Sequence, residues 1–113
     1  MKLTKEERLL SNYVKYLDYD HPGLLYCHIP NEGKRNPLKV KILGIRAGAP
    51  DIVIFEPRGK YRGLAVELKV DNNTLSPAQL GFLEKLRSKG WRTIVCYTIE
   101  EAVKKTEEYL NEF

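Results

Sequence analysis

Three side chains near the middle of the chain, Asp51, Glu67 and Lys69, have the types and spacing for metal-assisted chemistry. Asp51 lies in Ala49-Pro50-Asp51-Ile52-Val53-Ile54-Phe55, and the other two lie in Gly63-Leu64-Ala65-Val66-Glu67-Leu68-Lys69-Val70. Both stretches are rich in β-branched and apolar residues and are predicted to be strands. The polar link Glu56-Pro57-Arg58-Gly59-Lys60-Tyr61-Arg62 carries the Pro and Gly of a turn, so the strands should pair as an antiparallel hairpin. A carboxylate early in one strand then sits beside a carboxylate late in its partner. Glu67 and Lys69, two positions apart, project from one face. Paired hard oxygen anions suit Mg²⁺ or Mn²⁺, which polarise a phosphodiester and lower the pKa of an attacking water. A lysine alongside can orient or deprotonate that water and offset charge growing on the phosphate. The pattern therefore points to metal-dependent phosphodiester cleavage. The same letters also fit an alternating edge strand with a solvated charged face.

The elements that must position these residues follow from periodicity. Leu10, Tyr13, Val14 and Leu17 share one helical face, which predicts a first helix over 4–17, ending before the turn cluster Asp20-His21-Pro22-Gly23. Residues 24–29 read as a strand stopped by Pro30. Asn36-Pro37 ahead of 38–43 and Gly44 has the cap, first-turn proline and terminal glycine of a short helix, although Lys39-Val40-Lys41-Ile42 also alternates as a strand does. Ser76-Pro77 opens a helix running to Gly90, followed by a strand over 91–98 and a last helix over 100–110. The expected fold class is α/β, a mixed sheet flanked by helices.

An acid from the first helix can reach the site. Thr4-Lys5-Glu6-Glu7 has capping-box spacing, which occupies Glu7 with the Thr4 backbone. At about 100° per residue, Glu6 lies about 30° from the centre of the apolar stripe and Glu7 about 70° away on the other side. Both could reach inward from the end of the helix. Glu6, better aligned and free of the cap, is favoured over Glu7, against the further alternative that both are solvated first-turn acids facing the helix dipole. Ser76-x-x-Gln79 is likewise a capping box, and Gln79 can serve the cap alone. His21 and His28 read as ordinary surface or strand histidines, and the seven tyrosines form no stacking platform in the sequence. Asn31-Glu32-Gly33-Lys34-Arg35 is a polar basic loop, either solvated or presenting Asn31, Lys34 and Arg35 to a phosphate backbone.

Gly44-Ile45-Arg46-Ala47-Gly48-Ala49-Pro50-Asp51, Glu67-Leu68-Lys69, Ser76-Pro77-Ala78-Gln79 and the glycine Gly90, with His28-Ile29-Pro30-Asn31 and the amphipathic first helix, together resemble the VRR-NUC nucleases of the PD-(D/E)xK superfamily. The resemblance spans nearly the whole chain. It implies a restriction-endonuclease-like core, a Mg²⁺ ion that Mn²⁺ can replace, and cleavage of DNA, often branched or flapped. Asp51, Glu67 and Lys69 match the family's metal-ligand and catalytic positions, and Gln79 matches a glutamine usual on the following helix. A first-helix glutamate usually completes the site, here Glu6. The expected metal ligands are Asp51, Glu67, the Leu68 carbonyl and Glu6, and the expected nucleic-acid contacts are Asn31, Lys34, Arg35, Arg46 and Ser76. Stand-alone members of the family are expected to act as homodimers, with Tyr13, Tyr16, Tyr19 and Tyr26 as soft candidates for an interface or else for packing within one protomer.

Composition agrees with a compact polyanion-binding domain. The 113 residues are expected to form one domain, residues 1–113. Nineteen basic and fifteen acidic side chains leave a net charge of +4, mildly favourable for nucleic acid. No apolar run approaches a membrane span and no secretory signal is visible, so a cytoplasmic setting is expected. Cys27 and Cys96 have no metal-ligand spacing and are expected to be reduced and buried. An idle nucleic-acid-binding module of the same fold and an end-acting exonuclease are the alternatives. Asp51, Glu67 and Lys69 argue against the idle module, because binding alone needs no acids facing phosphate.

Overall fold

The computed structural model describes residues 1–30 and 36–112. Helix α1 (Lys5–Asp20) starts at the capping box. The Thr4 Oγ1 accepts from the Glu7 amide at 3.1 Å, and the Glu7 carboxylate accepts from the Thr4 amide at 2.9 Å. The helix runs past Leu17 to Asp20, further than the periodicity suggests. Its stop is set by Pro22, which disfavours helical backbone at the preceding His21. Leu9, Tyr13 and Leu17 are its buried residues, with Leu10 and Val14 at the flank, so the buried stripe is rotated slightly from the expected one.

Strand β1 (Tyr26–His28) pairs antiparallel with β2 (Ile52–Ile54), which pairs antiparallel with β3 (Leu64–Leu68). Helix α3 (Pro77–Ser88) then carries the chain across to β4 (Arg92–Cys96), parallel to β3, and α4 (Ile99–Leu110) follows. The sheet order is β1-β2-β3-β4, a mixed sheet with helices against it, as expected. The strands are shorter than expected. At β2 the cause is local, since Pro50 has no amide to give the ladder.

Strand β3 is buried along its whole length. Leu64, Val66 and Leu68 join Ile52, Ile54, Ile94 and Cys96 in one core with Leu9, Tyr13 and Leu17 of α1 and Ala102 and Tyr109 of α4. Alternation turns Ala65 and Glu67 to the opposite face. Tyr13 is fully buried and its hydroxyl meets Thr106 Oγ1 at 2.7 Å, while the Tyr16 hydroxyl donates to Glu107. These tyrosines pack the protomer, and of the four only Tyr19 is largely exposed, at 87%. Cys96 is buried but Cys27 is exposed, against expectation, because it points from edge strand β1 away from the core to which Tyr26 is turned.

The ambiguous segment is a helix, α2 (Pro37–Ile42), with the Asn36 side chain accepting from the Leu38 amide at 2.9 Å. It has no buried residue. Among the described residues, no helix is long and apolar enough to cross a membrane.

Candidate active site

The β2–β3 register pairs Ile52 with Val66, and one further step sets Asp51 opposite Glu67. The hairpin thus brings the two acids together as its spacing predicts. Asp51 is held from three sides. Its Oδ2 accepts from the Leu68 amide at 2.7 Å, and its backbone carbonyl accepts from the Ile29 amide at 2.9 Å. His28 Nδ1 lies 2.8 Å from the same carbonyl and must be the donor, since a carbonyl can only accept. The approach to Asp51 is fixed by Gly48, whose φ of +86° suits glycine, and a Cβ there would lie 2.3 Å from the Ala78 carbonyl oxygen of α3.

Glu67 is only 2% exposed. Its Oε1 lies 3.5 Å from Gln79 Nε2, the long limit of a hydrogen bond, and its Oε2 is buried and receives no donor among the described residues while both acids are ionised. Burial, then the charge of Asp51 and a hydrogen bond with it, push the Glu67 carboxyl up to about 9; Lys69 pulls the other way and Glu6 adds to the rise. Gln79 reaches Glu67 while serving the cap of α3, because its Oε1 accepts from the Ser76 amide at 2.9 Å and leaves Nε2 for the acid. The cap and the contact with Glu67 are thus compatible in one side chain.

These groups line a cavity of about 380 Å³, closed by the first turns of α1. Thr4, Glu6, Glu7 and Leu10 form that wall, facing His28, Ala49, Asp51, Glu67, Leu68 and Gln79. Relative to the observed stripe of Leu9, Tyr13 and Leu17, Glu6 lies about 20° from the centre and Glu7 about 120°, at about 100° per residue. Glu7 is also engaged in the cap, which holds its carboxyl below the usual range, chiefly through the Thr4 backbone.

An all-oxygen donor set with one orphaned buried carboxylate oxygen suits a hard divalent cation, which removes the cost of burying that oxygen unpaired. Among the described residues, no group of three or more His, Cys, Asp or Glu side chains is gathered closely enough to hold a metal. The close side-chain donors are therefore the Asp51–Glu67 pair, leaving backbone and water to complete a shell, as Mg²⁺ commonly allows. Glu6 sits in the cavity wall rather than in that pair.

Lys69 follows β3 directly, half-buried, and does not line the cavity, although its charge reaches Glu67. Ser76 caps α3, with Oγ 3.1 Å from the Gln79 amide, and Arg46 is exposed with its guanidinium donating to the Ile45 carbonyl at 3.3 Å; neither lines the cavity. Asn31, Lys34 and Arg35 lie outside the described residues. Sequence reasoning missed His28, whose contact with Asp51 depends on β1 pairing with β2, and the only signal was its place in the His28-Ile29-Pro30-Asn31 stretch.

Residues 4–99 match the VRR-NUC domain. A solved VRR_NUC domain protein superposes with a TM-score of 0.79 at 26% identity, covering 97% of this chain and 91% of its own. A second solved VRR_NUC domain gives a TM-score of 0.63 at 27% identity, covering 95% of this chain and 99% of its own. No curated protein matches the chain. A match over most of the chain, on a nuclease-type fold with this arrangement of acids, settles the family: the chain belongs to the VRR-NUC domain family.

Proposed function

We propose that the protein is a Mg²⁺- or Mn²⁺-dependent DNA endonuclease that acts on branched DNA such as flaps or junctions, as a homodimer, in replication, repair or recombination. The observation that carries this reading is Glu67, a carboxyl buried beside a second acid, Asp51, with one oxygen that receives no donor among the described residues. A catalytically idle binding module gains nothing from such a costly arrangement.

Asp51, Glu67 and the Leu68 carbonyl would hold the ion, with Glu6 supporting it from the α1 wall. Bound there, the metal supplies Lewis-acid polarisation of the phosphodiester and a lowered pKa for water. The chain supplies position. The Leu68 amide fixes Asp51 Oδ2, and the Ser76 cap aims the Gln79 amide at Glu67. The Lys69 ammonium orients the attacking water and offsets negative charge building on the phosphate, or, as the neutral amine, Lys69 takes the water's proton. Water attacks phosphorus in line and the P–O bond to the leaving strand breaks.

A panel of labelled duplex, flap, single-stranded and four-way-junction DNA, incubated with Mn²⁺ or with EDTA, tests this. Internal cuts in the branched substrates with Mn²⁺ alone are expected. Mononucleotide release from ends would indicate an exonuclease instead, and binding without cleavage in every metal would indicate the idle module.

A further inference from the structure

Helix α2 carries a surface that the site does not use. Leu38, Ile42 and Leu43 are 65%, 70% and 69% exposed, in a helix that has no buried residue. Six residues are far below the roughly 12–15 at which a helix holds in water by itself, so this element gains from a partner. Leu38 and Ile42, four apart, form one ridge. At about 100° per residue, Lys39 and Lys41 stand about 80° to either side of it. Both lysines are exposed, as is Arg46, and residues 36–50 contain these three cations and no acid. The last residue of α2 is nine positions before Asp51, along a segment clamped to α3 at Gly48.

We infer that α2 is a DNA-docking ridge: Lys39 and Lys41 straddle the ridge to meet phosphates on two sides, and Leu38 and Ile42 press against bases at a branch point. Apolar side chains of this kind wedge against unstacked base steps, and unstacking costs least where a junction or flap has already interrupted the helix. Charge complementarity selects this occupant. A second copy packed ridge to ridge about a two-fold axis would set the flanking lysines of the two protomers against each other, with no acid in the segment to offset them. The inference rests on the nuclease reading and names the residues that would give it a preference for branched DNA.

The test uses the full chain in EDTA, where binding is read without cleavage. Anisotropy is measured on a fluorescein-labelled four-way junction and on a matched duplex, with 2-aminopurine at the branch point in a second junction. Wild type should prefer the junction and raise the 2-aminopurine signal. Leu38→Ala/Ile42→Ala removes only exposed side chains; it should keep duplex affinity, lose the 2-aminopurine rise, and lose about tenfold or more in junction affinity. Lys39→Ala/Lys41→Ala should weaken both substrates and flatten the log–log salt slope by roughly 2. Junction affinity and 2-aminopurine signal unchanged in the Leu38/Ile42 variant would overturn the ridge while leaving the nuclease reading intact. A shift of that variant to lower mass in sedimentation would overturn it in favour of self-association. Wild type binding neither DNA would overturn both readings.

Discussion

Glu67 is the residue on which the proposed chemistry and stability meet. Its folded pKa of about 9 lies far above its ordinary 4.5, so between those values the metal-free native state holds a proton that the unfolded chain has released. Stability from this group is therefore present below about pH 4.5 and is lost as pH rises toward 9, with a slope of at most about 1.4 kcal/mol per pH unit. Urea unfolding in EDTA from pH 5 to 8.5 should show the decline, and Glu67→Gln should flatten it. An equal slope in both proteins would remove Glu67 as its source. Lys69→Ala should retain Mn²⁺ binding by calorimetry while turnover falls by about two orders of magnitude or more, the scale of lost electrostatic catalysis. Loss of metal affinity together with activity would reassign Lys69 to holding the site together. The Asp51–Glu67 encounter was legible because a period-two strand and a turn dictate it. The His28 contact was not, because it is made 23 residues from its partner through a strand pairing that local pattern does not specify.

At the scale of elements, the first turn of α1 separates two neighbouring acids by role. Glu7 is tied to Thr4 by the cap, whereas Glu6 shares the buried stripe's direction and its charge acts on Glu67. Glu6→Ala should lower the cleavage rate more than the melting temperature, and Glu7→Ala should do the reverse. Cleavage by Glu6→Ala at the wild-type rate, under saturating Mn²⁺, would take Glu6 out of the site. The caps that start α1, α2 and α3 were readable because each is a short local code of side chain and backbone amide. Strand lengths were not, since apolar composition continues past the point where Pro50 stops the ladder. The run of α1 to Asp20 was also missed, because the stop lies at the residue before Pro22 and not at the polar cluster's first letter.

For the whole molecule, the element order and the mixed sheet were legible from alternating strand and helix patterns, and the match to the family supports both. Assembly was not legible. The tyrosines considered for an interface mostly serve the protomer, with Tyr13 buried on Thr106 and Tyr16 bound to Glu107, and only burial in three dimensions distinguishes the two uses. A homodimer remains the reading that sets two sites on a two-stranded substrate, and light scattering at micromolar concentration should give twice the 13.1 kDa chain mass. A mass of 13.1 kDa both alone and on a four-way junction would exclude it. The most decisive measurement is cleavage of a labelled branched DNA by wild type and by Glu67→Gln, each with Mn²⁺ and with EDTA. Because Gln keeps the shape and removes the anion, product should form only in Mn²⁺, and there Glu67→Gln should be slower than wild type by about two orders of magnitude or more. Undiminished cutting by wild type in EDTA, or by Glu67→Gln in Mn²⁺, would contradict a metal-dependent nuclease built on this pair of acids.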